Sequence, residues 1–125
     1  MTGVGQVLKK EIEGIRILAV EPEESPILSR GEKGPHKIQG IGAGFVPDVL
    51  DRSVIDEIMT VSYEAAAKTT RLLARHEGIF VGVSLGAALW AALESAKKLG
   101  KGKRILAILP DTGERYLSTN LFSDE

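Results

Sequence analysis

Residues 82–86 read Gly82-Val83-Ser84-Leu85-Gly86, a serine held between two glycines. The apolar run Ile79-Phe80-Val81 leads into it, and a long apolar helical stretch leaves it. A tight strand-to-helix turn of this kind lifts a serine oxygen clear of a sheet, where it can serve as a nucleophile. Such a serine needs a histidine base within reach and a carboxylate to orient that base. Asp111, just past the next apolar run, is placed to be the acid. Both histidines, His36 and His76, precede Ser84, whereas α/β-hydrolases put the histidine last. Two other roles stay open for Ser84. It can cap the following helix, its oxygen accepting from free amides of the first turn, or it can hydrogen-bond a ligand. Capping leaves the flanking glycines unexplained. Gly82 and Gly86 strip side chains from the backbone where a flat or bulky group could approach.

A second stretch, "KIQGIGAGFVP" (37–47), carries Gly40, Gly42 and Gly44. It is neither a dinucleotide fingerprint nor a P-loop, since the glycine spacing is wrong and no Gly-Lys-Ser/Thr follows. Ile41, Ala43 and Phe45 between and after the glycines suit a wall closing over a ligand better than a flexible linker. A third stretch, "LPDTGERYLST" (109–119), ends a strand at Pro110 and turns at Asp111 to Gly113. It then brings Glu114, Arg115 and Tyr116 back over the strand ends. Asp-Thr-Gly is also the aspartic protease tripeptide, but that chemistry needs two carboxylates in an all-β setting.

The elements around these stretches follow from apolar period and end signals. Val4, Val7, Leu8 and Ile12 share one face of a first helix, with Gly14 placed for a left-handed cap. "IRILAV" (15–20) reads as a strand stopped by Glu21-Pro22, and "EIMTVS" (57–62) as a second. Ser62 caps a helix through 63–77, with Glu64 in its first turn, Arg75 and His76 in its last, and Gly78 ending it. "IFVGV" (79–83) is a third strand, and the helix after Ser84 runs to about Leu99. Its first turns are apolar all round, so it is expected to be buried. "RILAIL" (104–109) is a fourth strand. Strands apolar on both faces that alternate with helices predict an α/β fold, a parallel sheet flanked by helices. Residues 21–56 form a long connection, a length that compact domains reserve for function.

The 125 residues suffice for one domain with a real core. Net charge is −1 and both signs are scattered, so no nucleic-acid surface is indicated. Cysteine is absent, which excludes disulfides and thiolate metal sites and fits a reducing compartment. No apolar run approaches the roughly 20 residues of a membrane span. A cytoplasmic protein is the expectation.

Taken together, "KIQGIGAGFVP", "GVSLGAA" and "LPDTGERYLST" resemble, in order and spacing, the C-terminal half of the cysteine synthases, also called O-acetylserine sulfhydrylases. The resemblance covers essentially the whole chain. It implies the tryptophan-synthase-β-like fold, fold type II, of pyridoxal-phosphate β-replacement enzymes. The implied reaction replaces the acetate of O-acetyl-L-serine with sulfide to give L-cysteine. In that family the serine of the glycine-flanked turn hydrogen-bonds the cofactor's pyridine nitrogen, a role that falls on Ser84. Pro110 and Asp111 would border the ring, and the loop Gly40, Ile41, Gly42, Ala43 and Gly44 would border the substrate. A neutral hydroxyl does not hold the ring nitrogen protonated, which suits loss of a β-substituent over transamination.

The resemblance also marks what residues 1–125 lack. "TGVGQVLKK" looks like the helix that follows the family's phosphate-binding loop, so that loop and the Schiff-base lysine are expected N-terminal to Met1. None of the nine lysines occupies the family's Schiff-base context. The chain is therefore expected to be a C-terminal fragment with no catalytic residue of its own. Binding of pyridoxal phosphate by this piece alone is not expected, nor is activity. Alternatives are a cystathionine β-synthase-like enzyme, or a non-catalytic fragment acting through protein association. The family also implies a homo-oligomer and docking of the serine acetyltransferase C-terminal tail.

Overall fold

The computed structural model describes residues 1–123. Two runs far apart in the chain pair as parallel strands, β1 (Leu18–Pro22) and β2 (Glu57–Val61), with Leu18 opposite Glu57 and Pro22 opposite Val61. Between them lie a four-residue helix, α2 (Ile27–Arg30), and a 3-10 turn at Arg52–Val54. Ahead of β1 stands α1 (Thr2–Glu11). After β2 come α3 (Tyr63–Glu77) and α4 (Val83–Leu99), packed along one another, and a second 3-10 turn at Gly113–Tyr116. This is an α/β arrangement, with α4 laid against both strands.

The end signals of α3 act as the sequence predicts. Ser62 accepts from the Ala65 amide at 3.2 Å, and Gly78 closes the helix in the left-handed region at φ 68°. α4 ends at Leu99. Elsewhere the structure differs. α1 stops at Glu11, with Ile12 already extended, so Gly14 caps nothing. Of its expected apolar face, Val4, Val7 and Ile12 are exposed and Leu8 is half-buried, while Gly5 is the buried residue, pressed against Val54. β1 begins three residues later than expected and includes Glu21 and Pro22.

Residues 79–83 and 104–109 form no strand among the described residues. A strand exists only through its ladder partner, and neither run meets one here. Val81 and Leu109 nonetheless join Leu73, Leu85 and Leu89 in one apolar cluster. The outer side chains of the last run stay in solvent, Leu106 at 80% and Ile108 at 65% exposure. The main core gathers Ile38, Val61, Ala66, Ala67, Val83, Ala87, Tyr116 and Leu121. It ties the long connection, β2, both long helices and the C-terminal segment into one body.

Glu21 explains how the long connection is held. It is buried at 3% exposure, and its carboxylate accepts from the Leu28 and Ser29 amides at 2.7 and 2.9 Å and from the Ser29 hydroxyl. Read in sequence as a strand stop, it is a clamp that fastens α2 to β1.

Candidate functional site

Ser84 lies in the first turn of α4 and is half-buried. It is not the cap. Gly82 holds the N-cap position with extended backbone, φ −80° and ψ 172°, and no side chain caps the helix. The helix starts at Val83, so Ser84 already sits inside it, past the cap position from which an oxygen reaches forward to the free amides of the first turn. Its hydroxyl has no hydrogen-bond partner among the described residues.

Across from Ser84 stands the glycine-rich loop. A Cβ placed on Gly40 would come within 3.3 Å of Ser84 Oγ, and Gly40 has φ +94°, where other residues are strained. Gly42 and Gly44 are also in the positive-φ region. His36 fixes the loop, its Nε2 lying 2.7 Å from the Gly42 carbonyl. That bond makes Nε2 the donor, and Nδ1 is buried with no partner among the described residues. With Val20, Glu21, Ile27 and Leu50, residues Gly40 to Phe45 wall a groove of about 480 Å³.

The C-terminal segment approaches the same turn. The Tyr116 hydroxyl donates to Asp111 Oδ2 at 2.7 Å, and the Thr112 amide donates to Oδ1 at 2.8 Å. Those bonds, the tyrosine's first, hold the Asp111 carboxyl below the usual aspartate range. The same bond, with desolvation, raises the Tyr116 phenol above its ordinary value. Pro110 is exposed at the start of this turn.

The flanking glycines answer to the chain's own packing. A Cβ on Gly82 would overlap the Tyr116 ring and meet Asp111 Oδ2 at 3.0 Å. One on Gly86 would overlap Thr70 Oγ1 and the Ala66 carbonyl of α3. The space the sequence reading reserved for an approaching group is filled, at these two glycines, by Tyr116 and by α3. Thr70 and Tyr116 are the residues that reading undervalued. For Thr70 the available signal was the small-residue row Ala66–Thr70, four apart on α3.

A hydrolase triad does not assemble. His36 is spent on Gly42, His76 stands exposed in the last turn of α3, and Asp111 is bonded to Tyr116. Among the described residues no group of three or more acidic or histidine side chains could hold a metal, and no helix is long and apolar enough to cross a membrane.

The chain is 54% identical over 123 residues to the cysteine synthase of Staphylococcus aureus strain Mu50, covering 98% of this chain and 40% of that protein. It superposes on the cysteine synthase of Entamoeba histolytica with a TM-score of 0.95 and 48% identity, covering 98% of this chain and 37% of the other. An O-ureido-L-serine synthase gives a TM-score of 0.94 and 51% identity, over 98% and 40%. The chain thus spans about 40% of the length of the curated relatives it matches, and its fold is the matching part of a fold type II enzyme. The pattern of the family described as "Pyridoxal-phosphate dependent enzyme" matches residues 1–111, and the chain belongs to that family.

Proposed function

We propose that residues 1–125 are the C-terminal, large-domain portion of a cysteine synthase, and that the Schiff-base lysine and phosphate loop lie in a portion this chain does not span. The observation that carries the reading is the uncommitted, half-buried Ser84 hydroxyl at the start of α4, facing Gly40 in a chain of this family. Pyridoxal phosphate, when bound, supplies the electron sink for loss of the β-substituent of O-acetylserine and its replacement by sulfide.

The residues present fit that cofactor. Ser84 can donate to, or accept from, a ring nitrogen, because nothing among the described residues engages its oxygen. Being neutral, it places no fixed charge against the ring and leaves the nitrogen's proton unsupported. Asp111 borders the site with one bond already made at each oxygen, to Tyr116 and to Thr112. Pro110 keeps the backbone turning at that border. Gly40 to Gly44 supply bare backbone on the substrate side, held in place by His36. None of these groups moves a proton to carbon; that work belongs to the lysine.

Under this reading the groove beside Gly40 to Phe45 admits O-acetylserine and, in the complete enzyme, the serine acetyltransferase C-terminal tail. The exposed apolar side chains support a homo-oligomer. The lack of cysteine supports a cytoplasmic setting. Similarity to an O-ureido-L-serine synthase favours, as second reading, a β-replacement enzyme with a nucleophile other than sulfide.

The test supplies pyridoxal phosphate, O-acetylserine and sulfide to the chain alone and to the chain co-expressed with the N-terminal part of a cysteine synthase. Cysteine is expected only from the second. Cysteine made by the chain alone, and abolished by replacing one of its nine lysines, overturns the division of labour. A reconstituted enzyme that rejects sulfide but accepts another nucleophile moves the assignment to the second reading.

A further inference from the structure

The turn that carries Ser84 is gripped from two sides. On one, Thr70 of α3 donates to the Ala66 carbonyl at 3.0 Å and lies 3.4 Å from the Gly82 carbonyl. On the other, the C-terminal segment crosses it. The Gly113 amide donates to the Phe80 carbonyl at 3.1 Å, and the bare face of Gly113 rests on the Phe80 ring. The Phe80 and Phe122 rings meet at a 37° tilt with centroids 4.5 Å apart, and the Arg71 guanidinium donates to the Leu121 carbonyl at 3.2 Å. At the centre of this crossing, the Tyr116 ring and the Asp111 carboxylate press on Gly82, the cap residue two positions before Ser84.

We propose that Tyr116 is a positioning residue: its hydroxyl locks Asp111 against Gly82, and the locked pair fixes where the first turn of α4 presents the Ser84 hydroxyl. The ring alone could pack there as a phenylalanine would. The hydroxyl adds direction, because it and the Thr112 amide hold the carboxylate in orientation from both oxygens. Released from Tyr116, the carboxylate can swing toward Arg115, whose Nε is 3.8 Å from Oδ1, and Gly82 loses one wall. What Ser84 binds rests on the proposed function; the coupling of Tyr116 to the Ser84 turn does not.

The experiment follows backbone amide resonances of Gly82, Val83 and Ser84 in the full chain, without cofactor, through an acid titration. In the wild type these three report the ionisation of Asp111. In Y116F their transition is expected to move to higher pH. Exchange of the Leu85 and Gly86 amides, which donate to the Gly82 carbonyl at 3.1 and 3.3 Å, is expected to quicken at least tenfold while β1 and β2 keep their protection. D111N retains an oxygen that accepts from Tyr116, so it is expected to keep slow exchange at 85–86 and to lose the titration. D111A is expected to lose both. If Y116F and D111A leave exchange at 85–86 within twofold of wild type, or raise it equally in the strands, Tyr116 is merely a core residue and the proposal falls. Failure of the cysteine assay touches none of these readouts, so the two claims fail separately.

Discussion

Gly86 of α4 meets Thr70 of α3 so closely that no methyl group fits between them. The contact sets the spacing of the two long helices, and so the height at which the first turn of α4 stands. Gly86→Ala would drive a methyl into Thr70 Oγ1 and the Ala66 carbonyl, and the latter is backbone that cannot step aside. Overpacking of this kind costs about 1–3 kcal/mol. Gly3→Ala in α1 meets nothing within 4 Å and should stabilise slightly, by up to about 1 kcal/mol, as glycine leaves a helix. Urea midpoints of the two variants check both signs.

Ser84→Ala separates binding from folding. A serine that capped α4 would cost about 0.5–2 kcal/mol on removal. Because Gly82 is the cap residue, the urea midpoint of the variant should stay at the wild-type value. In the reconstituted enzyme the lost hydrogen bond of about 1 kcal/mol should weaken cofactor binding roughly fivefold. Fluorescence titration with pyridoxal phosphate measures the second effect.

Acid should loosen α1 first. Asp56 accepts from Lys9 Nζ at 2.7 Å and from the Ile17 amide at 2.6 Å, and these, Lys9 foremost, depress its titration. Asp51 is depressed by Ser53 and then Gln6. A folded value below the unfolded one, about 3.9, means stabilisation that is complete above that pH and lost as pH falls through the folded value. Tyr116 behaves oppositely: its raised folded value gives stabilisation that is present below about pH 10 and lost as pH rises through it. Stability measured from pH 6 down to 2 should fall below about pH 4, and Asp56→Asn should flatten that limb.

The run at 104–109 should make the chain associate. Leu106 and Ile108 face solvent, as do Val4 and Phe45, and exposed apolar surface favours self-association. Sedimentation should show species larger than a 13.4 kDa monomer. The double variant Leu106→Lys, Ile108→Lys should shift the distribution toward monomer without changing the folded signal. A wild-type chain that stays monomeric at high concentration overturns the expectation.

What the sequence disclosed was local. Ser62 and Gly78 bound α3 because a cap acts within one turn of its own helix. Strand pairing is not local, so the apolar character of 79–83 and 104–109 marks them as buried-strand material without naming a partner. Glu21 looked like a strand terminator, since its partners, the Leu28 and Ser29 amides, only become visible once α2 folds back. The glycines beside Ser84 were legible as places of close approach. That the approaching groups are Tyr116 and Thr70, residues of the same chain, is a tertiary fact; the small-residue row on α3 hints at Thr70, and nothing local points to Tyr116. The meeting of Gly40 with Ser84 is of the same kind.

The parallel pairing of β1 and β2 also sets the order in which the molecule can form. Ile17 and Asp56, bonded at the entrance to the sheet, are 39 positions apart, and drawing such ends together costs roughly 3 kcal/mol of chain entropy before any ladder bond returns it. α3 and α4 are separated only by residues 78–82 and face no such barrier. The helix pair is therefore expected to assemble first and the crossover to close over it, with contacts of long sequence separation weighing most on the overall rate.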